Sequence, residues 1–486
     1  MKYPENEENE ENMPAKSADE KKTPGQKLAE KLFFNPKNCW EGVDEKIEKA
    51  IEVFARSYKE MLNKGKTERE FTSAAIDLLQ KKGFMDIDSA SAKKFSPGAK
   101  VYRSIKGKAL VAAVLGKRPL KEGLNILGAH VDSPRIDLKP SPLYEDTDFA
   151  FLDTHYYGGI KKYQWTAIPL AMHGVFIDSK GKTINVRLGE DEDDPVFTIT
   201  DLLPHLAREQ MQKKASEAVE GEDLDILVGS KPFKDEKVKE KVKLAILSIL
   251  NEQYGIDEQS FAGAEIELVP AFKARDLGLD RSMIGAYGHD DRCCAYPALR
   301  ALMDFASETP EKTAVCYLSD KEEIGSMGNT GAQSRGFENF VAALSGEGDL
   351  RSCLANSAML SADVNAAYDP AYAGVFDKKN SSFMGKGLIL SKYTGSGGKY
   401  GASDANAEFC SKVQALMNKN KIPWQFGELG KVDKGGGGTI ALHAAKLGME
   451  VLDCGIPVLS MHSPFEVISK VDLYYCYKGY VAFLKD

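Results

Sequence analysis

Four apolar runs of strand length, far apart in the chain, each deliver a group that can bind a cation at or near their C-terminal end. NILGAHVD ends on His130 and Asp132, TAVCYLSDKEE on Glu322 and Glu323, MLSADV carries Asp363, and PVLSMHS carries His462. Near-continuous apolar runs are the pattern of strands covered on both faces. From about Asp276 onward such runs, with SCLANSAMLSADV, GLILSKY and IPWQFG among them, alternate with helical patterns at Cys294–Phe305, Asp404–Asn418, Ile440–Leu447 and Lys470–Leu484. That alternation predicts an α/β fold, a mostly parallel sheet flanked by helices on both faces. In open sheets of this kind ligands bind beyond the C-terminal strand ends. The four runs therefore place their acids and imidazoles along one binding edge.

The earlier part of the chain divides by pattern. From Gln26 to Phe84 apolar residues recur at helical spacing, as in VDEKIEKAIEVFARSYKEML, and strand-like runs follow at Lys108–Val114 and Leu124–Ala129. Between about Pro134 and Val269 the character changes to strands joined by Gly-containing turns, with one charged helical stretch at Lys234–Glu252. We read residues 134–269 as an inserted, β-rich domain that interrupts a domain built from 26–133 and 270–486. A chain of 486 residues is long enough for two cores. Residues 1–25 are Glu, Asn, Lys, Asp and Pro with little to bury, and are expected to be a disordered tail.

Composition excludes several classes. The net charge of -8 does not suit a nucleic-acid binder, which needs a basic face to neutralise phosphates. No stretch of about 18 apolar residues is present to span a membrane, and the N-terminus lacks a signal pattern. The 8 cysteines are scattered without a CxxC pair, which reads as reduced thiols of a cytoplasmic protein.

Divalent ions such as Zn²⁺ accept imidazole and carboxylate, with about three protein ligands plus water at a catalytic ion. Two-metal sites hold their ions roughly 3.5–4 Å apart, where a shared carboxylate offsets their repulsion. Two His and three carboxylates meet that stoichiometry, one His and one carboxylate for each ion and one Asp between them. Asp290 and Asp291, in GHDDR, precede the helix near Cys294. Asp132, two residues beyond His130, is placed to accept the second N–H of its imidazole and fix the tautomer. Glu322, beside Glu323, is a candidate base for a metal-activated water. Singly each signal is weak, since HxD arises by chance and paired acids before a helix commonly serve as N-caps. Their joint placement after separate buried runs is far more specific.

The strings AHVDSPR, GHDDR, DKEEIGS, LSADVNAAYDP and SMHSP, in this order and with an insertion after the first, resemble the motifs of the aspartyl aminopeptidase-like (M18) metallopeptidases. The resemblance implies a zinc-peptidase-like catalytic domain interrupted by a dimerisation domain. It implies two Zn²⁺ per subunit, with Co²⁺ or Mn²⁺ as substitutes, and removal of the N-terminal residue from peptides with a free N-terminus. It implies a large homo-oligomer, typically a tetrahedral dodecamer. Carried over, His130, Glu323, Asp363 and His462 are ligands, Asp290 bridges, and Glu322 is the general base. His173, in AMHG, falls where relatives send a histidine into a neighbouring subunit's active site. Val131, Asp291, Asn365 and Asp369 depart from the aspartyl-type pattern and leave the preferred N-terminal residue open. Lys392, Lys399 and Lys434 are possible contacts to a substrate carboxylate, and the run Gly435–Gly438 either approaches substrate with its backbone or is a flexible turn. Two other classes fit less well: another dinuclear amidohydrolase on the same sheet, and a non-enzymatic scaffold with a vestigial site.

Overall fold

A computed structural model describes residues 22–89, 95–178, 180–346 and 348–486. The expected tail, over residues 1–21, lies outside the described residues. Its last residues are not tail: a helix spans Pro24–Leu32 because Thr23 and Gln26 form a reciprocal capping box and Pro24 supplies a pre-set φ at the first turn.

Residues 38–486 are built on a seven-stranded sheet. Its strands in chain order are β1 (Met85–Asp86), β2 (Lys100–Ile105), β3 (Ala109–Val114), β4 (Leu124–His130), β5 (Thr313–Ser319), β6 (Ala358–Ser361) and β7 (Glu450–Asp453). They lie in the order β1-β2-β3-β5-β4-β6-β7. The β5–β4, β4–β6, β6–β7 and β1–β2 pairings are parallel, while β2–β3 and β3–β5 are antiparallel. Every residue of β3, β4 and β5 is buried, because helices cover both faces. Period-2 alternation sorts them: Leu110, Leu127, Ala129 and Leu318 enter one core, and Val111, Ile126, Val315 and Tyr317 the other.

The first core is closed by the helices Glu45–Lys64, His289–Phe305 and Lys470–Leu484. Glu45–Lys64 starts where Asp44 caps Ile47 N, and it buries Ile51, Phe54, Ala55, Tyr58, Met61 and Leu62, one stripe at helical spacing. Each such large side chain contributes about 1.5–3 kcal/mol on burial. The helix stops at Gly65, where a Cβ would stand 2.7 Å from Phe71 Cα.

Several expected strands fall elsewhere. SCLANSAMLSADV begins inside a helix, Leu350–Ala355, and continues into β6; Leu350, Cys353 and Leu354 meet the core at helical spacing. Leu388–Leu390 and Trp424–Phe426 form a two-stranded parallel sheet of their own, and Pro457–Leu459 belongs to a separate five-stranded sheet. The charged helix begins later than its pattern suggests, at Lys241, and runs to Tyr254.

Residues 135–270 carry a second seven-stranded sheet that is antiparallel throughout and has its own core around Trp165, Leu170 and Phe176. Its first strand, Arg135–Asp146, starts only a few residues beyond β4, and its partner Phe149–Tyr157 returns so that Tyr157 opposes Arg135. This register brings the end of the hairpin back to the edge where β4 stops.

Candidate metal centre

In the β4–β5 and β4–β6 ladders Ser319 opposes His130 and Ser361 opposes Gly128, so the segments leaving the three strands emerge side by side. His130 is the last residue of β4. Glu322 and Glu323 lie on the turn after β5, which Lys321 opens at φ 65°. Asp363 lies two residues beyond β6. Asp290 stands at the start of His289–Phe305, where its own φ and ψ are not helical. His462 arrives differently from expectation. Its strand, Pro457–Leu459, is outside the central sheet, and the tight turn after it carries the imidazole to the edge.

The two carboxylate oxygens of Asp290 face different imidazoles. Oδ1 lies 3.3 Å from His130 Nε2 and Oδ2 lies 3.2 Å from His462 Nε2. Asp363 Oδ1 and Glu322 Oε2 are each 3.9 Å from His130 Nε2, and Glu323 Oε2 is 3.4 Å from His462 Nε2. Ligand atoms of His130, Asp290 and Glu323, and those of His130, Glu322 and Asp363, lie within 4.8 Å of one another. The five expected ligands therefore converge, with Glu322 beside them. Glu322 is the more open of the two glutamates, with 17% of its side chain exposed against 4% for Glu323.

Both imidazoles are held by their far nitrogen. His130 Nδ1 lies 3.1 Å from Asp132 O and 3.3 Å from Asp132 Oδ1, and His462 Nδ1 lies 2.9 Å from Gly159 O. A carbonyl oxygen only accepts, so each Nδ1 carries the proton and each Nε2 presents its lone pair to the cluster.

Charge is unbalanced here. Asp132, Asp290, Glu322, Glu323 and Asp363 face two imidazoles. Burial first, and then repulsion from Asp290, raises Glu323 well above the usual carboxylate range and Glu322 to about 7. Burial and the nearby acids do the same to Asp363. Burial opposes the charged form of His462, but Asp290 and Glu323 lift it to about 10. Asp290 Oδ1 and Glu323 Oε1 are buried without a hydrogen-bond donor. Such oxygens are costly unless a cation meets them. The donor set of imidazole nitrogen and carboxylate oxygen suits Zn²⁺, so the residues present fit such an ion.

Three supporting residues were not foreseen from the sequence. Glu466 accepts from Asp290 N at 3.1 Å and from His462 N at 2.7 Å. Ser133 Oγ donates to Asp290 O at 2.8 Å. Tyr157 Oη donates to Asp132 Oδ2 at 2.8 Å. A lone acid inside the apolar run FEVIS was the one available signal for Glu466. The serine and the tyrosine had none.

His173 requires correction. It is fully buried within its own chain, with Nδ1 2.8 Å from Glu70 Oε1 and Nε2 3.1 Å from Glu190 Oε1. Both nitrogens are engaged, so the imidazole is not available to a neighbouring subunit. His173 is a buried histidine of the strand Leu170–Ile177, held inside an ion network.

A cleft of about 500 Å³ opens over the cluster and reaches Tyr393, Lys399, Glu428 and Gly435–Gly438. Lys392 and Lys399 both pair with Asp404, and Lys434 is exposed. Close packing accounts for the first two glycines of the run: a Cβ on Gly435 would stand 1.9 Å from Leu429 O, and Gly436 pairs with Ser396 at φ 138°. The eight cysteines are free and buried.

A family model described as aminopeptidase I zinc metalloprotease (M18) matches residues 61–484. The probable M18 family aminopeptidase 1 of Clostridium acetobutylicum is 51% identical over 463 residues, covering 94% of this chain and 99% of that protein. Its counterpart in Thermotoga maritima is 46% identical over 451 residues, covering 91% and 97%. The crystal structure of an M18 aminopeptidase from Thermotoga maritima superposes with a TM-score of 0.89 at 44% identity, covering 93% of this chain and all of that one (100%). The crystal structure of aminopeptidase I from Clostridium acetobutylicum gives 0.89 at 47% identity, covering 94% and 100%.

Proposed function

This chain belongs to the M18 family of zinc metallo-aminopeptidases, and we propose that it removes the N-terminal residue of peptides at a two-zinc centre held by His130, Asp290, Glu323, Asp363 and His462. The observation that carries this reading is Asp290, whose two oxygens face one imidazole each at 3.3 and 3.2 Å. A carboxylate in that position would be a ligand that two ions could share.

Zinc bound there would polarise the scissile carbonyl and acidify water at the site. The remaining chemistry falls to the chain. Glu322, the more open glutamate, takes a proton from the attacking water and returns it to the leaving amine. Asp132 holds His130 in the tautomer that offers Nε2. The acids of the cleft attract a substrate's α-ammonium group, which supports a requirement for a free N-terminus. Co²⁺ or Mn²⁺ would serve in place of zinc, because nitrogen and oxygen ligands select among these ions weakly.

We further read residues 134–269 as the dimerisation domain of a homo-oligomer. Exposed Leu203, Leu206 and Met211 on that region support an interface. The free thiols support a cytoplasmic location. No helix of the described residues is long and apolar enough to cross a membrane.

The decisive experiment is hydrolysis of a panel of aminoacyl substrates, each with an N-acetylated control, with Zn²⁺, Co²⁺ and Mn²⁺ supplied in turn. Cleavage of the free amines alone is expected. Equal cleavage of the acetylated controls would refute the reading, and light scattering on the same preparation tests the oligomer.

A further inference from the structure

The hairpin of the insertion ends on Tyr157, Gly158 and Gly159, and each of these three touches the shell of the metal cluster. Tyr157 Oη donates to Asp132 Oδ2 at 2.8 Å. Asp132 spends both oxygens on the catalytic turn as well: Oδ1 accepts from Glu322 N and Oδ2 from Glu323 N, each at 3.1 Å. Gly158, at φ 75°, packs so tightly that a Cβ there would come within 3.3 Å of Glu323 Cβ. Gly159 O receives the Nδ1 proton of His462. One short turn of the insertion thus reaches the supports of both imidazoles and both glutamates.

The turn is itself pinned. The antiparallel register sets Tyr157 opposite Arg135, whose guanidinium sits 3.8 Å over the Tyr157 ring. Arg135 is in turn held by Asp137 at 2.8 Å, Glu267 at 3.3 Å and Glu68 at 3.5 Å. Glu267 belongs to another strand of the insertion and Glu68 to the helix that packs on the central sheet. Burial and the charge of Asp132 keep the Tyr157 phenol neutral, so it remains a donor at all ordinary pH.

We propose that the Tyr157–Gly159 turn is a positioning element for the metal centre: Tyr157 aligns Glu322 and Glu323 through Asp132, and Gly159 fixes the imidazole of His462. This inference rests on the two-zinc reading above. Tyr157 touches neither substrate nor ion. Its role is to keep Asp132 from rotating, so that the two backbone N–H groups and the His130 imidazole stay in one alignment. Supporting contacts of this order typically change metal affinity or activity by about 10–100-fold.

The test uses the full-length protein and Tyr157→Phe, which keeps the ring over Arg135 and removes one oxygen. Zinc affinity is read by competition with a chromophoric chelator, the Co²⁺ form by its visible absorption, and kcat and KM on an aminoacyl substrate. Expected are about 10–100-fold weaker zinc binding, a shifted Co²⁺ spectrum and a lower kcat with KM nearly constant, while the melting temperature of the metal-free protein stays the same. Gly158→Ala, which crowds Glu323 from the same turn, is expected to lower zinc affinity independently. Wild-type affinity and spectrum in Tyr157→Phe would overturn the proposal, as would an affinity loss matched by a fall in the metal-free melting temperature. If the wild-type protein itself held no zinc, the two-zinc reading would fall, and this inference with it.

Discussion

Two places in this molecule gather histidine with carboxylates, and they behave oppositely. Around His173 the acids are Glu70 and Glu190, and the cations are His173 itself, Lys66 at 2.5 Å from Glu190, and Arg187 at 3.7 and 3.8 Å from the two acids. Burial pushes both glutamates up, but the hydrogen bonds and charge of His173, with Lys66 beside Glu190, outweigh it and hold them below their ordinary values. Around Asp290, five acids meet two imidazoles, and Glu322, Glu323 and Asp363 are driven upward. Residue type alone does not distinguish a metal site from a buried ion network. The balance of charge does: in the first cluster His173, Lys66 and Arg187 face two acids, and in the second the acids outnumber the groups that can carry positive charge.

That contrast is open to direct attack. Asp290→Ala removes the carboxylate between the imidazoles and is expected to lower kcat/KM by about 10⁴-fold or more, with loss of bound metal by elemental analysis. If activity and metal content survived, the second cluster would not be the site. Glu322→Gln is expected to retain metal while kcat falls by about 10²–10⁴-fold, which separates proton transfer from ligation. A variant that lost its metal as well would make Glu322 a ligand.

His173→Ala tests the other side. Removing one partner from a buried ion network costs about 3–5 kcal/mol, read from the denaturant midpoint, while metal content should not change. The same network predicts a pH dependence. His173 is raised above its ordinary value against the opposing effect of burial, by its bonds to Glu190 and Glu70. Its contribution is therefore complete below about pH 6.5 and is lost as pH rises through the higher folded value. Glu70 and Glu190 are lowered, so theirs is complete above about pH 4.3 and is lost as pH falls through the folded values. The stability gap between wild type and His173→Ala should shrink on the alkaline side; a gap independent of pH would show that packing alone is at work. The smallest effect is expected from chelation: at a hundredfold excess over Kd, zinc stabilises the fold by about 2.7 kcal/mol, which EDTA should remove. An unaltered melting curve would mean that the acidic cluster is not relieved by metal.

Much of the centre was legible before any coordinates. His130, Glu322, Glu323 and Asp363 each follow an apolar run, and a strand buried on both faces can hardly be written otherwise. Asp290 was visible as one of two acids ahead of a helix. The misreading of His173 has a plain cause: a histidine in a strand pattern does not reveal which face it lies on or what waits there. Its partners are 103 and 17 residues away in sequence. Glu466 and Tyr157 were illegible for the same reason, since each acts through a group that comes close only when separate elements pack.

The sequence by itself determined the alternation of strand and helix, and it placed acids and imidazoles where strands end, because burial on two faces and helical spacing leave a periodic record in the chain. Only the tertiary structure decided which of those groups share a cation-poor pocket, and that Asp290 lies between the two imidazoles. It also decided that the strand ending at Tyr157 brings Tyr157 and Gly159 into contact with Asp132 and His462. Those outcomes depend on register and on charge summed over residues hundreds of positions apart, and local pattern carries no information about such sums.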